Sequence, residues 1–164
     1  MQKTATDLLK KQHREVLGLL KRAIKTDAPK AAKLLLTEIS GHLQLHSKIE
    51  EEIFYPAVRQ TGTSKAEDMI LEALEEHHVV DLVLEELPDV DPAADSFVAK
   101  ITVLKELIEH HAGEEEAEMF PLAEKKLGRE QLVELAQKME ARVDEITAEQ
   151  GAEKAPSRKR AVAA

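Results

Sequence analysis

Cysteine and tryptophan are absent from the sequence, and aromatic residues make up only 2% of its 164 residues. The absence of cysteine excludes disulfides, iron–sulfur clusters, thiolate zinc sites, covalently attached haem and cysteine nucleophiles. No apolar run is long enough to cross a bilayer, and residues 1–15 mix lysine, aspartate and leucine. We therefore expect a soluble, cytoplasmic protein with no signal peptide and no membrane partner.

Glycine and proline are also scarce, with six of each, whereas charged residues make up 34% and hydrophobic residues 43%. This composition is typical of a helical protein with an aliphatic core. Residues 1–152 contain 19 basic and 31 acidic residues, so this part of the chain repels phosphate backbones and we expect no nucleic-acid partner. The seven histidines are the most informative residues, because neutral imidazole is the commonest metal ligand in proteins.

Apolar residues recur at helical spacing along most of the chain, and no segment shows the alternation typical of a strand. Glycine and proline separate five predicted helices, over about residues 6–26, 30–56, 64–87, 95–126 and 129–149. Long helices with short connections predict an all-α fold, namely an antiparallel up-down-up-down four-helix bundle with an additional C-terminal helix. Three regions follow: the bundle in residues 1–127, the packing helix in 128–150 and a disordered basic tail in 151–164.

Capping and helix-breaking residues set the predicted helix ends. Thr6 or Asp7 is expected to cap the first helix, and Ser64, with a glutamate three residues later, is expected to cap the third. Proline cannot donate a backbone hydrogen bond, so we expect Pro56 to kink or end the second helix. Two further residues are expected to interrupt the fourth helix, namely Gly113 and Pro121.

Two histidines lie on the apolar stripes of their predicted helices, and each is followed four residues later by a glutamate. His46 precedes Glu50 on the second helix, and His111 precedes Glu115 on the fourth. Residues four apart share one helix face, so each imidazole and its carboxylate point together into the core. A buried carboxylate beside a buried imidazole needs a compensating charge, which a metal ion can supply.

These two segments are copies of one pattern. Residues 46–56 align without a gap on residues 111–121 at an offset of 65 positions, so that the histidine, two glutamates, an aromatic residue and the proline coincide. At nearly the same offset, His13 of the first helix corresponds to His77 or His78 of the third. The sequence therefore predicts a helix pair used twice, with one histidine from its first helix and a histidine–glutamate pair from its second.

The third helix offers two neighbouring histidines as ligands, His77 and His78. His77 is favoured because its stripe continues at helical spacing through Ile70, Leu74, Asp81 and Leu84, and His78 stays the alternative. Two copies of the helix pair bring four imidazoles and two carboxylates together, which exceeds the need of one tetrahedral ion and suits two ions. Imidazole and carboxylate without sulfur indicate non-haem iron first, and manganese or zinc after it.

The combined motif resembles the hemerythrin-like family, in particular its HHE cation-binding domains. The matching segments are Gln12-His13, residues 46–56, Glu76-His77 and residues 111–121, and the resemblance covers roughly residues 5–125. It implies an antiparallel four-helix bundle that holds two non-haem iron ions (Fe2+/Fe3+) with a bridging oxo or hydroxo group. The metal ligands that it implies are His13, His46, Glu50, His77, His111 and Glu115.

One position departs from the family pattern. The oxygen-carrying members have a further histidine four residues from the one matched by His77, where this chain has Ala73 and Asp81. Either one iron keeps an open position or Asp81 fills it, so reversible oxygen carriage does not transfer directly. Glu114 replaces the apolar Ile49 of the first copy and is a further candidate ligand or neighbour of the metal.

The single tyrosine, Tyr55, follows His46 by nine residues. On an ideal helix this spacing turns a side chain by about 180°, to the face opposite the histidine. We therefore expect Tyr55 to pack in the core, unless a kink before Pro56 rotates it toward the metal.

Two functions fit these residues. The first is a di-iron protein that binds or reduces oxygen, peroxide or nitric oxide at an under-coordinated iron, which includes an enzyme that consumes peroxide or nitric oxide. The second is an iron-binding, iron-sensing or oxygen-storage module without turnover. Because both use the same ligands, the sequence decides neither between them nor on a protein partner.

Overall fold

The computed structural model describes the backbone of residues 2–153 and the side chains of residues 2–149. Almost all of these residues are helical and none forms a strand, so the all-α prediction is confirmed. Residues 2–153 form six α-helices, namely α1 (Ala5–Lys25), α2 (Pro29–Ile49), α3 (Tyr55–Arg59), α4 (Ser64–Glu86), α5 (Asp95–Glu114) and α6 (Phe120–Glu153). None of these described helices has the length and apolarity to cross a bilayer. The predicted basic tail lies outside the described residues from residue 154 onward.

Threonine side chains cap α1 and α4. The Thr4 hydroxyl accepts a hydrogen bond from the Asp7 N–H at 3.2 Å, and the Asp7 carboxylate accepts one from the Thr4 N–H at 3.1 Å. The predicted cap at Thr6 or Asp7 is therefore wrong, because both residues are already helical. Thr63 caps α4 through the amide three residues on, at 3.2 Å, so this cap lies one residue before the predicted Ser64.

Two π-helical turns continue the helices that precede them, one between α2 and α3 (Glu50–Phe54) and one between α5 and α6 (Glu115–Met119). In each turn a backbone N–H donates to the carbonyl five residues back, from Tyr55 to Glu50 and from Phe120 to Glu115. A proline follows each turn, and in a regular α-helix its ring would clash with the carbonyl four residues back. The wider turn relieves this clash, so the chain stays helical through both prolines.

Glycine interrupts the helical path at one of the two places predicted. The interruption expected at Gly113 is wrong, because α5 continues through this residue to Glu114. The break predicted between residues 126 and 129 is confirmed at Gly128 inside α6, where φ is 74° and ψ is 167°. Only glycine adopts a positive φ at little cost, so Gly128 allows the last part of α6 to change direction.

Two apolar clusters form the core. Cluster I contains Leu9, Ile49, Ala73 and Met119, together with Leu132, Leu135 and Met139 of α6. Cluster II contains, among others, Val16, Leu43, Val80 and Ile108. Along the chain, α1 and α4 pass cluster I before cluster II, whereas α2 and α5 pass cluster II first.

Candidate metal centre

Four histidines and two glutamates are buried where clusters I and II meet. Three of the histidines are flanked on their own helix by one residue of each cluster, as His13 is by Leu9 and Val16. His111 lies between Ile108 of α5 and Met119 of the second π turn. None of the six residues is more than 6% exposed, so the apolar clusters shield them from water. They are the six ligands implied by the sequence, namely His13, His46, Glu50, His77, His111 and Glu115.

The imidazoles meet in two pairs through their Nε2 atoms. The Nε2 atoms of His13 and His46 lie 3.2 Å apart, and those of His77 and His111 lie 3.4 Å apart. Each pair combines one histidine from the first helix of a half with one from the second. The exposed neighbour His78 takes no part in either pair.

The outer nitrogen of each imidazole lies against a hydrogen-bond acceptor. The contacts are His13 Nδ1 to Glu116 at 2.9 Å, His46 Nδ1 to Gln12 Oε1 at 2.9 Å, His77 Nδ1 to Glu51 at 2.8 Å, and His111 Nδ1 to Glu76 at 2.8 Å. Carboxylate and amide oxygens only accept, so each Nδ1 carries the hydrogen and donates it. In a neutral imidazole the other nitrogen then holds a lone pair, and four Nε2 lone pairs therefore point inward.

The two glutamates connect the histidine pairs. Glu50 Oε1 lies 3.2 Å from His46 Nε2, and its Oε2 lies 3.3 Å from His77 Nε2, so its two oxygens face different pairs. Glu115 Oε2 lies 3.3 Å from His13 Nε2 and 3.6 Å from His111 Nε2. Among the described residues, Glu50 Oε1 and Glu115 Oε2 are buried without a hydrogen-bond partner. Such orphaned oxygens are costly in an apolar core unless a cation binds them.

The surrounding residues shift the pKa values of the two carboxyl groups in opposite directions. Burial and the nearby Glu115 raise the pKa of Glu50 well above its usual range. Burial also opposes the ionisation of Glu115, but His13 and His111 in their protonated, positively charged forms hold its pKa below the usual range. Burial and the neighbouring His13 lower the pKa of His46 well below 6.5. The protein alone therefore favours one ionised carboxylate, and a second one calls for further positive charge.

Tyr55 is buried in cluster I, as expected, but it also lies at the histidines and glutamates, so the alternative of a rotation before Pro56 is the one that the structure shows. Its hydroxyl donates a hydrogen bond to Glu115 at 2.9 Å and lies 3.4 Å from His77 Nε2, and its ring stacks on that of His77 with centroids 5.8 Å apart. The π turn explains the difference, because its extra residue places Tyr55 where the eighth residue after His46 would lie on an ideal helix, about 80° around.

Burial in turn raises the pKa of the Tyr55 phenol well above its usual value, and the nearby Glu50 and Glu115 carboxylates raise it further.

Two other sequence candidates lie outside the cluster. Asp81 is an exposed residue of α4 and does not belong to the group of buried donors. Glu114 is also exposed, and its carboxylate belongs to a separate surface group with Glu76 and His110. The sequence predicts that Glu51 and Glu116, which directly follow the two candidate ligand glutamates, lie in solvent or beside the ligands, and the structure shows them as the acceptors of His77 and His13.

The donor set fits metal cations. Inward lone pairs about 3 Å apart repel each other, and a cation between them would replace this repulsion with attraction. The two orphaned carboxylate oxygens need the same positive charge. With imidazole and carboxylate donors and no sulfur, the cluster is suited to borderline and hard divalent cations rather than to soft ones.

Comparison with known proteins agrees with this chemistry. Residues 4–123 match the family model described as Hemerythrin HHE cation binding domain. The chain therefore belongs to the hemerythrin HHE cation-binding family. A crystal structure of an HHE cation-binding domain-containing protein from Mycobacterium kansasii, described as an Rv2633c homolog, is similar with a TM-score of 0.75 and 28% identity, covering 87% of this chain and 86% of that one.

Two curated relatives are similar over most of this chain. The uncharacterized protein Rv2633c of Mycobacterium tuberculosis is 28% identical over 146 residues, which is 87% of this chain and 86% of that protein. A protein of Nostoc sp. named DNA nickase is 24% identical over 140 residues, which is 85% of this chain. This match spans only 39% of the length of the Nostoc protein.

Proposed function

We propose that this protein is a non-haem di-iron protein that binds or reduces oxygen, peroxide or nitric oxide at an under-coordinated iron. The observation that carries the proposal is the set of four inward Nε2 lone pairs beside two buried carboxylate oxygens that lack a partner among the described residues. Iron with such ligands would supply electrons and a Lewis-acidic position for a small ligand.

The division of the four imidazoles into two pairs favours two ions over one. His13 and His46 would hold one ion, and His77 and His111 the other, with both carboxylates between the pairs. An octahedral ion takes six donors, so six protein ligands shared by two ions leave positions free. Asp81 does not fill such a position, because its side chain is exposed.

Tyr55 would provide a hydrogen-bond donor beside the free metal position. Its hydroxyl lies beside His77 Nε2 and donates to Glu115, so a proton-carrying group stands at the edge of the donor set. A phenol that keeps its proton can donate a hydrogen bond to an anionic or partly reduced ligand. The stacked rings of Tyr55 and His77 fix the orientation of this hydroxyl.

The order in which the helices pass the two clusters supports the rest of the proposal. Helices α1 and α4 run from cluster I to cluster II and α2 and α5 run the other way, as an antiparallel up-down-up-down bundle requires. We place this bundle in residues 1–127. The helix after Gly128 would then be the additional packing element, because its apolar residues belong to cluster I.

DNA cleavage is left out of the proposed function. The Nostoc nickase is more than twice as long as the segment that it shares with this chain. Residues 1–152 contain 19 basic and 31 acidic residues, and such a surface repels nucleic-acid phosphates.

The second candidate function is an iron-binding, iron-sensing or oxygen-storage module without turnover. It uses the same six ligands, and the burial of the donors between both apolar clusters favours it, because metal binding there would stabilise the whole fold.

Turnover by iron-loaded protein separates the two functions. We expect protein with two bound irons to consume hydrogen peroxide or nitric oxide over many cycles, as measured with an electrode for each compound. The matched control is the same protein loaded with zinc, which fits similar ligands but carries no redox chemistry. Consumption that stops after one equivalent per iron pair, or a stable oxygen adduct without turnover, would favour the module.

A further inference from the structure

An acidic cavity of about 70 Å³ lies beside the metal centre, between α4 and the second π turn. A cavity of this size holds a few water molecules. Its inner end reaches Glu115, which is 2% exposed and whose Oε2 lacks a hydrogen-bond partner among the described residues. Four further carboxylates line the cavity, those of Glu72, Glu76, Glu114 and Glu118. The lining of the cavity therefore includes both exposed carboxylates and Glu115, a buried residue of the centre.

A second group of potential metal ligands stands at the rim of this cavity. His110 Nε2 lies 3.4 Å from Glu76 Oε1 and 3.5 Å from Glu114 Oε1, and these three atoms lie within 4.8 Å of one another. The His110 side chain is 61% exposed and that of Glu76 only 18%, so the group extends inward from the surface. The other oxygen of Glu76 accepts from His111 Nδ1 at 2.8 Å. Glu76 therefore belongs both to the surface group and to the support of the buried centre.

The first half of the chain has no such arrangement at its corresponding positions. At offsets of 64 and 65 residues, the cavity and rim residues Glu72, Glu76, His110, Glu114 and Glu118 correspond to Leu8, Gln12, Leu45, Ile49 and Ile53. Leu8 and Ile49 are buried in cluster I, where Leu132 and Met139 of α6 also lie. One side of the centre is thus closed by apolar side chains, and the other is open and acidic.

We propose that the acidic cavity is the path by which divalent metal cations enter the centre, with His110, Glu76 and Glu114 as the first binding site. This inference rests on the proposed metal centre. Carboxylates that line a cleft raise the local concentration of cations and repel anions. Because the rim ligands are partly exposed, a hydrated cation can exchange some of its water for them and keep the rest. Glu115 at the inner end then offers the next oxygen.

Loading of apo protein with Co2+ tests the path, because absorbance of the bound ion reports its arrival in the centre. The variant His110→Gln/Glu114→Gln removes two rim ligands and leaves all six ligands of the centre in place. We expect it to load about tenfold more slowly than the wild type at low ionic strength, with the same final number of Co2+ ions per chain. The difference should shrink in high salt, which screens exposed carboxylates.

The matched control is His78→Gln/Glu75→Gln, which removes the same residue types from exposed positions of α4 that do not line the cavity. We expect the control to load at the wild-type rate. Equal loading rates for both double variants and the wild type would overturn the entry path while leaving the metal centre intact. A final Co2+ content near zero in the wild type would instead refute the metal centre itself. Thermal melting of each apo variant checks that the fold is retained.

Discussion

The two halves of the site repeat the same candidate ligand types but differ in the residues that surround them. His46 and Glu50 in the first half repeat as His111 and Glu115 in the second, and a π turn follows both pairs. At the aromatic position, however, Tyr55 donates to a carboxylate, whereas Phe120 has no hydroxyl to donate and stacks on His13, with centroids 5.9 Å apart.

The hydrogen-bond acceptors of His46 and His111 also differ between the two halves. His46 donates to the neutral amide of Gln12, whereas His111 donates to the carboxylate of Glu76, which also faces the acidic cavity. A charged acceptor makes its imidazole a stronger electron donor than a neutral acceptor does. Under our proposals, the repeated residues would account for metal binding, and the unrepeated ones for metal access and ligand chemistry.

Removing either carboxylate ligand should have the largest effect. We expect wild-type protein to bind about two irons per chain, and Glu50→Ala and Glu115→Ala each to weaken iron binding by more than about 100-fold, because even neighbours of metal ligands cost 10- to 100-fold. Iron analysis after dialysis measures this. If either variant keeps the wild-type iron content, that glutamate is not shared between the ions and the halves are not equivalent in metal binding.

Removing the metal should destabilise both halves together. At a free metal concentration about 100 times the Kd, binding contributes ~2.7 kcal/mol. For a chain of this length that loss lowers Tm by about 5–10 °C. Calorimetry before and after chelation measures the shift, with a chelator that was already saturated with metal as the control. Equal melting temperatures would argue against a buried site.

Replacing Glu50 or Glu115 by glutamine should shift the Tm of the apo protein at pH 7 in opposite directions. The raised pKa of Glu50 means that its contribution to stability is present at low pH and lost as the pH rises above 4.5, the value in the unfolded chain. Glu50→Gln should therefore raise the apo Tm at pH 7. The lowered pKa of Glu115 gives a contribution that is present above pH 4.5 and lost at lower pH, so Glu115→Gln should lower the apo Tm at pH 7.

These two apo variants serve as controls for each other, since both replace one carboxylate by an amide of the same shape. Both differences from the wild type should become smaller when melting is measured at pH 4. Shifts of the same sign at pH 7 would show that the halves are electrostatically equivalent.

Exchanging the aromatic residues tests the asymmetry at the free position. Tyr55→Phe should keep the wild-type iron content and change azide affinity by about fivefold, the worth of one hydrogen bond of about 1 kcal/mol. Titration followed by absorbance measures it. Phe120→Tyr leaves the Tyr55 hydroxyl in place, so it should change azide affinity less. A lower iron content in Tyr55→Phe than in the wild type would contradict this prediction and show that the phenol oxygen is needed for metal binding.

The smallest effect is expected at Asp81. Because this side chain is exposed, Asp81→Ala should leave azide affinity within about twofold of the wild type, as is usual for surface changes. Easier azide binding in Asp81→Ala would show that the aspartate had competed for the open position.

The sequence was sufficient to predict which histidines and glutamates are buried together, but not what surrounds them. His46 with Glu50 and His111 with Glu115 could be predicted because spacing along one helix fixes which side chains share a face. The position of Tyr55 could not, because a proline alone does not distinguish a kink from a π turn. The contact between Glu116 and His13 spans two helices that are far apart in the chain, so it depends on packing that no local pattern encodes.

Each π turn also acts as a joint that sets the angular phase between two lengths of helix. Upstream of it the face turned inward carries His46 and Glu50, and downstream the inserted residue turns Tyr55 inward instead of the residue that a continuous helix would present. Deleting one residue from such a joint would rotate everything beyond it by about 100° in a single step. A single residue thus separates two helical registers. The face that carries the histidine and glutamate before the turn and the face that covers them after the turn can therefore change independently in each half of the chain.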